Sequence, residues 1–197
     1  MVKAQEWLEE NYPDKETESI YINQQLEGIL DCSGYERLEY IFISTSVDRS
    51  KLEIKGGSYE GKETKIIPCI PTQEYINKEY PKNGTCIREN ENFGDKNFGK
   101  TREEITKLDI KKKALEGELD LSDFKNLEEL DCSDNYLTNL NLSNLAKLET
   151  LSCSDNYLTQ IPYLPNPKKI TDLRIDNNNI NPSDLAIFSQ MRNLERL

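Results

Sequence analysis

The chain has 197 residues, of which 36% are apolar and 31% charged, and its formal net charge is -11. This acidic balance excludes general affinity for nucleic acid or for anionic membranes, because both reward clustered lysine and arginine, and it favours a protein partner with a basic surface. The chain contains no histidine, which excludes serine–histidine catalysis, imidazole acid–base chemistry and histidine metal ligands. No apolar run is long enough to span a membrane, and we expect a cytoplasmic protein.

The amino-terminal part is predicted to begin with a short helix. In residues 5–13, QEWLEENYP, Leu8 and Tyr12 lie one helical turn apart and a proline follows, so we expect a capping helix over residues 4–13. Early, irregular repeats are predicted over residues 18–71. Their strands are expected at Ile20 and Ile22, at Ile41 and Ile43, and around Ile67 and Cys69.

The chain contains an internal duplication. The helix pattern recurs in residues 73–81, QEYINKEYP, and the segment LEGILDCSGYERLEYIFIS at 26–44 recurs as LEGELDLSDFKNLEELDCS at 115–133. After the second helix comes a polar stretch that the first copy lacks, and we expect a helix plus polar loop insertion over residues 72–104. The pattern is compatible with one interrupted array in a single domain of residues 1–197 and with two short arrays in tandem.

Regular repeats are predicted over residues 105–197. The copies LEELDCSDNYLTNL, LETLSCSDNYLTQI and ITDLRIDNNNI begin at Leu127, Leu148 and Ile170, so they are spaced by 21 and 22 residues. Each reads L-x-x-L-x-L-x-x-N-x-L, with cysteine or isoleucine accepted at the third apolar position. The earlier copy ITKLDIKKKAL has Lys113 in place of the asparagine, so we expect an irregular backbone there. The final LERL looks like an incomplete repeat, which favours a longer protein or an edge that self-associates or is covered by a partner.

This pattern resembles that of leucine-rich repeat proteins, whose period is about 20 to 29 residues. The cysteine, serine and asparagine positions and the helical cap look like those of large fungal repeat families. The resemblance implies an α/β fold: a solenoid with a parallel β-sheet on its concave side, an irregular or 3-10 convex side, and short capping and inserted helices. The asparagine is expected to point inward and satisfy backbone groups of neighbouring coils. This structural ladder is expected at Asn135, Asn156 and Asn178.

In this family, exposed positions beside the strand ladder line a concave face that binds proteins or peptides. The resemblance therefore implies a partner-binding surface in this chain. Its predicted strand positions are Lys107, Asp109, Lys111, Glu129, Asp131, Ser133, Thr150, Ser152, Ser154, Asp172, Arg174 and Asp176. Tyr136 and Tyr157 occupy the same position in consecutive repeats, so they either join this surface or pack between coils.

One segment suggests a different function. Residues 94–101, GDKNFGKT, match the G-x-x-x-x-G-K-[ST] pattern of a phosphate-binding P-loop. The preceding IRENENF is not an apolar strand, and too few residues separate Thr101 from the next predicted strand for a P-loop helix. We therefore interpret the segment as a polar surface loop and keep nucleotide binding as the alternative function.

The sequence predicts no enzyme, catalytic residue, cofactor or metal site. Five cysteines cannot all form pairs, and Cys132 and Cys153 occupy apolar repeat positions, where a free thiol acts as a small hydrophobic group. We interpret the chain as a non-enzymatic scaffold module that binds a protein or peptide through its concave sheet face. A structural or regulatory segment of a longer signalling protein is the second alternative.

Overall fold

The computed structural model of the protein describes residues 2–59, 62–87 and 96–196. Its contacts divide the chain into two compact units, Met1–Cys69 and Ile70–Leu197, which we call unit 1 and unit 2. Both units have α/β structure with parallel sheets, in agreement with the predicted fold class. In the part of the chain that the structure describes, no helix has the length and apolarity needed to cross a membrane.

Unit 1 begins with a short strand and a helix and continues with seven further strands. The elements are β1 Val2–Lys3, α1 Ala4–Asn11, β2 Ser19–Ile22, β3 Leu26–Asp31, β4 Tyr40–Ile43, a 3-10 helix Arg49–Lys51, β5 Leu52–Lys55, β6 Ser58–Tyr59, β7 Lys62–Glu63 and β8 Lys65–Pro68. One parallel sheet has the order β2-β4-β8 and another the order β1-β3-β5, while β6 and β7 form an antiparallel pair. The three strands expected from isoleucine spacing are therefore β2, β4 and β8.

The core of unit 1 lies between these sheets and α1. Alternate residues of β2 and β4 point inward, because successive side chains of a strand face opposite sides, and Ile20 and Ile22 are fully buried beside their partners Ile41 and Ile43. The helix contributes Ala4, Trp7 and Leu8 to the same cluster. Trp7 is the single tryptophan of the chain.

Unit 2 has the same opening and then a more regular series of strands. The elements are β9 Ile70–Pro71, α2 Thr72–Glu79, a 3-10 helix Arg102–Glu104, β10 Lys107–Asp109, β11 Leu115–Asp120, β12 Glu129–Asp131, β13 Tyr136–Asn141, β14 Thr150–Ser152, a 3-10 helix Pro167–Lys169, β15 Asp172–Arg174 and a 3-10 helix Pro182–Gln190. Two parallel sheets have the orders β10-β12-β14-β15 and β13-β11-β9. Arg196 pairs with Asp172 in an isolated parallel bridge beside β15.

The repeat spacing explains the core of unit 2. Stacking copies 21 or 22 residues long brings the middle residues of the short strands into one buried row, formed by Leu108, Leu130, Leu151 and Leu173. The backbone turns after each strand through a residue with positive φ, namely Lys112, Asp134, Asp155 and Asn177. Ala114 also has a φ of 53°, so the copy that carries Lys113 is irregular, as the sequence predicts.

The two units share one structural plan at their amino-terminal ends. In unit 1, Val2 pairs with Leu26, and the side chain of Gln5 accepts a hydrogen bond from the backbone of Asp31 at 2.9 Å. In unit 2 the corresponding strand pair is β9 with β11, and Gln73 accepts a hydrogen bond from Asp120 at the same distance. The sequence duplication therefore extends to the hydrogen bonds that attach each helix to its sheet.

Candidate protein-binding surface

The predicted partner-binding residues lie mainly on the outward side of the β10-β12-β14-β15 sheet. Each of these strands has three residues, and the middle one is buried, so the first and third point away from the core. The register places the four first residues in one row and the four third residues in another. We call these eight residues the charged face: Lys107, Glu129, Thr150 and Asp172 in the first row, and Asp109, Asp131, Ser152 and Arg174 in the second.

Ion pairs within and beside the charged face compensate most of its charge. Lys107 Nζ lies 2.5 Å from a Glu129 carboxylate oxygen, and this pair raises the pKa of Lys107. Lys111, next to the face, lies 3.2 Å from the Asp131 carboxylate. Although partial burial opposes ionisation of Asp131, hydrogen bonds from Ser133 and Lys111 lower the pKa of its carboxyl group.

The fourth strand continues this pattern of internal pairing. Asp172 lies 3.4 Å from Arg174 and 3.5 Å from Arg196, with only 16% of its side chain exposed. Thr150 and Ser152, on β14, are half-buried and uncharged. The charged face therefore consists of compensated ion pairs around a small neutral patch.

Two predicted partner-binding residues are buried instead of exposed. Ser133 has 8% and Ser154 has 7% of its surface accessible. Each follows a strand at the point where the backbone turns inward, and each hydroxyl donates a hydrogen bond at 2.5 Å, to Asp131 and Asp176 respectively. The expectation that these serines are exposed is therefore wrong, because they support neighbouring carboxylates. Asp176 itself is exposed.

Tyr136 and Tyr157 pack against each other. Their ring centroids are 6.1 Å apart with an interplanar angle of 27°, and both side chains are half-buried. The repeat spacing stacks these rings between consecutive repeats, which is one of the two interpretations left open by the sequence. Part of each ring remains accessible beside the sheet.

The three predicted ladder asparagines bond the backbone of adjacent repeats. The amide nitrogen of Asn135 donates to the carbonyls of Ile110, Cys132 and Ser133 at 3.0 to 3.1 Å, and its oxygen accepts from the backbones of Lys113 and Leu115. The amide nitrogen of Asn156 donates to the carbonyls of Cys132, Cys153 and Ser154, and its oxygen accepts from the backbone of Leu137. Asn178 donates in the same way to the carbonyls of Cys153, Ile175 and Asp176 and accepts from the backbone of Leu158. These amides fix the turns that follow the strands of the charged face.

All five cysteines are buried free thiols. Cys132 and Cys153 lie in the core directly after β12 and β14. Burial raises the pKa of Cys153 to about 12 and raises that of Cys132 well above its usual range. Since the reactive species of a thiol is the thiolate, these cysteines are packing groups rather than nucleophiles.

The P-loop match is only partly within the described residues, because Gly94 and Asp95 lie outside them. The hydroxyl of Thr101 donates to the Glu104 carboxylate at 2.9 Å, and the same carboxylate accepts from the Thr101 backbone at 2.8 Å. The segment after Thr101 is a 3-10 helix of three residues, not the α-helix whose amino terminus holds phosphate in a P-loop. Within the described residues, no cluster of three or more cysteine, aspartate and glutamate side chains could hold a metal ion.

A second outward surface lies in unit 1, where the sequence analysis places no binding residue. The register sets Tyr21, Phe42 and Ile67 side by side across β2, β4 and β8, and Tyr40 precedes Phe42 on the same side of β4. All four side chains are half-buried. We call these four residues the aromatic face. The alternation Ile20-Tyr21-Ile22 could have revealed it, since Tyr21 must point away from two inward isoleucines.

The fold and the repeat geometry define a protein built from stacked strand–turn repeats. Residues 125–166 match the family described as Leucine Rich repeats (2 copies). The matched segment therefore consists of leucine-rich repeats, and proteins that contain such repeats commonly mediate protein–protein interactions. No curated protein and no solved structure matches the chain.

Proposed function

We propose that this leucine-rich repeat chain is a non-enzymatic module that binds a protein or peptide through the charged face. In this proposal the repeats of unit 2 stack as a solenoid, and the charged face lies on its concave side. The observation that carries the proposal is the pair of in-register rows on the sheet, because a rigid sheet presents side chains at fixed spacing to a partner. Lys111, Asp176, Tyr136 and Tyr157 extend this surface at its edge.

The net charge of the chain supports a partner with a basic surface. A charge of -11 attracts a basic partner over long range and speeds its association. The ion pairs on the charged face set the specificity, since a partner must exchange some of them for its own contacts. Thr150 and Ser152 form the neutral centre where a partner approaches the sheet without breaking a pair.

We propose a reducing compartment, such as the cytoplasm, as the place of action. The supporting observation is that all five cysteines are free thiols. Disulfides form and persist in oxidising compartments and are rare in the cytosol. Lysing cells in denaturant with a thiol-blocking reagent and counting the blocked cysteines of the isolated protein tests this part of the proposal.

Proximity labelling with the full chain tests the binding proposal. We expect the double variant Thr150→Arg with Ser152→Arg to lose specific neighbours, because two bulky side chains then occupy the neutral centre of the charged face. The charge reversals Asp131→Lys and Asp172→Lys should lose the same neighbours.

The matched control reverses two exposed carboxylates of unit 1, Glu10→Lys and Glu36→Lys, which changes the net charge by the same amount as the reversals in unit 2. We expect this control to keep the specific neighbours. If both unit 2 double variants, shown by circular dichroism to be folded, capture the same proteins as the unmodified chain, the charged face is not the binding surface.

A further inference from the structure

The outward side chains of unit 1 differ in chemistry from those of unit 2. The second strand of each sheet, β4 in unit 1 and β12 in unit 2, carries Phe42 and Asp131, respectively, at corresponding positions of the duplicated segments. Likewise, Tyr21 is on the outward side of β2 and Asp109 on that of β10. Aromatic residues contribute most to binding energy in protein interfaces, whereas paired surface charges contribute little.

The aromatic face is a continuous surface. Tyr21, Phe42 and Ile67 are in register, so neighbouring side chains are separated by the spacing of strands, about 4.8 Å. The rings of Tyr40 and Phe42 stack with centroids 5.8 Å apart and an interplanar angle of 24°. Together they present ring surfaces and one aliphatic side chain on a single side of the sheet.

A cation already lies against this surface. Lys65 Nζ is 5.6 Å from the centroid of the Tyr40 ring, within the range of a cation–π contact. The Tyr40 ring therefore accommodates a positively charged group, and an arginine of a partner would take the place of Lys65. An arginine guanidinium suits such a ring better than an ammonium group does, because it is planar, weakly hydrated and stacks on aromatic faces.

The charges around the aromatic face also favour a basic occupant. In residues 1–69 acidic side chains outnumber basic ones. Glu39, directly before Tyr40, and Glu63, close to β8, have no ion-pair partner among the described residues, while Arg37 is held by Glu16 and Glu18 at 3.8 and 2.7 Å. A second copy of this chain is a poor occupant, since it brings a charge of -11 to a surface of the same sign.

We propose that the aromatic face is a second docking surface and that it binds a segment of a partner protein in which arginine side chains stand among apolar ones. The apolar side chains pack on Phe42 and Ile67, and a guanidinium stacks on the tyrosine rings. This surface uses residues of unit 1 alone.

Selection of peptides from a random library displayed on phage tests the proposal. The full chain is the bait, and peptides that also bind the Phe42→Ser variant are removed. We expect the selected peptides to be enriched in arginine next to apolar residues. For one selected peptide, measured by fluorescence anisotropy, replacing arginine by the uncharged analogue citrulline should weaken binding on the order of tenfold, and raising the salt concentration should weaken it further.

Variants of the chain then locate the peptide. Phe42→Ser and, independently, Ile67→Ser should each weaken binding on the order of tenfold or more, and Trp7 fluorescence shows whether unit 1 is folded in each variant. Asp131→Ser, at the position of unit 2 that corresponds to Phe42, is the matched control and should leave the affinity unchanged. The Thr150→Arg with Ser152→Arg variant should also leave the affinity for the peptide unchanged, so the two binding proposals can be contradicted independently.

Three results overturn the inference. The first is a selection that yields no arginine-containing peptide sensitive to Phe42→Ser. The second is a selected peptide lost with Asp131→Ser but retained with folded Ile67→Ser, which places binding in unit 2. The third is concentration-dependent self-association of the chain that Phe42→Ser abolishes, because the occupant is then a second copy.

Discussion

The two units attach the end of their helices to the following repeat with different side chains. In unit 1 the hydroxyl of Tyr35 donates to the carbonyl of Tyr12, 2.6 Å away, just after α1. In unit 2 the residue that corresponds to Tyr35 is Phe124, which has no donor. The guanidinium of Arg102 instead donates to the corresponding carbonyl of Tyr80 at 2.8 Å and lies 5.3 Å from the centroid of the Phe124 ring.

Arg102 makes further contacts that Tyr35 does not make. Its other nitrogens donate to Asn77 on α2 at 2.8 Å and to Asp123 at 3.0 Å, and only 4% of the residue is exposed. The comparison shows that the carbonyl at the end of the helix needs a donor, whichever residue supplies it, because a buried acceptor without a donor is costly. Unit 2 takes that donor from its inserted segment, which unit 1 lacks.

The turns after the strands also differ between the units. In unit 2, buried Asn135 joins adjacent repeats. The corresponding residue of unit 1 is Ser46, and the exposed side chain of Gln25 connects the repeats instead: it donates to the Ser46 carbonyl at 2.5 Å and accepts from the Asp48 backbone at 2.9 Å. One backbone plan is thus supported by a buried amide in unit 2 and by an exposed amide in unit 1.

The largest effect is expected for the buried amide. We predict that Asn135→Ala lowers the free energy of unfolding of unit 2 by about 4 kcal/mol, because several buried backbone groups lose their partner at once. The exposed counterpart, Gln25→Ala, should cost less than about 1 kcal/mol in unit 1, since water replaces the lost hydrogen bonds.

Two probes separate these effects in denaturant titrations. Fluorescence of Trp7, the single tryptophan, reports on unit 1, and circular dichroism reports on both units. Asn135→Ala should shift the dichroism transition and leave the fluorescence transition in place. If the two transitions shift together, the units unfold cooperatively, and the two substitutions then change one shared free energy of unfolding.

The second prediction concerns alkaline pH. The pKa of Cys153 is raised by burial from 9.0 to about 12 and that of Cys132 is raised well above 9.0, so above pH 9 the unfolded chain loses protons that the folded chain keeps. The contribution of these thiols to the free energy of unfolding is fully present below pH 9. It falls as the pH rises toward the pKa of the thiols in the folded state, by roughly 1.4 kcal/mol per pH unit for each thiol. At pH 10 we expect a combined loss of about 3 kcal/mol in unit 2.

The double variant Cys132→Ala with Cys153→Ala provides the control for the alkaline experiment. It is less stable at pH 7, because it removes buried volume, but its stability should fall less steeply between pH 9 and pH 10 than that of the unmodified chain. The difference between the two slopes isolates the thiols from other titrating groups. Equal slopes contradict the prediction.

The regular part of the fold could be predicted from the sequence because local spacing determines it. Apolar residues every 21 or 22 positions fix the buried row through Leu108, Leu130, Leu151 and Leu173, and the alternation of two isoleucines fixes the inward side of β2. The duplicated QE-x-x-x-x-x-YP pattern marks the two helices. These features need only the neighbours within one repeat.

The pairing on the charged face could not be predicted in the same way. Lys107 and Glu129 are distant in sequence and become neighbours only when the repeats stack. The repeat pattern therefore predicts which side chains face outward but not which of them form ion pairs. The burial of Ser133 and Ser154 depends on where the backbone turns after each strand. The role of Arg102 could not be predicted because this residue has no counterpart in the other repeats.

The aromatic face is hard to predict from the sequence for a different reason. Tyr21, Phe42 and Ile67 have the side chains of core residues, and periodicity alone does not tell an outward aromatic residue from an inward one. Only the position in the alternation does so. Two signals in the sequence mark it: the alternation around Tyr21, and the replacement of aromatic by charged residues between the duplicated segments.

The third prediction tests the exchange of donors at the end of the helix. Arg102→Ala should destabilise unit 2 by about 2 kcal/mol, because it removes the hydrogen bonds to Tyr80 and Asn77 and the contact with Phe124. Adding Phe124→Tyr to this variant recreates the tyrosine of unit 1 and should restore about 1 kcal/mol. In the presence of Arg102, Phe124→Tyr should not stabilise, since the carbonyl of Tyr80 already has a donor. Denaturant titrations of the four proteins give the coupling between the two positions, and additive effects contradict the exchange.

The smallest effect is expected for the corresponding change in unit 1. Tyr35→Phe removes the hydroxyl that donates to Tyr12 and leaves the ring in place, so we predict a loss of about 1 kcal/mol in the transition reported by Trp7 fluorescence. Tyr40→Phe, which also removes one hydroxyl from a tyrosine of unit 1 but from the aromatic face, is the matched control and should leave that transition unchanged. If Tyr35→Phe is neutral while Arg102→Ala remains costly, the carbonyl at the end of α1 does not need a donor, and the stability supplied by Arg102 comes from its bonds to Asn77 and Asp123.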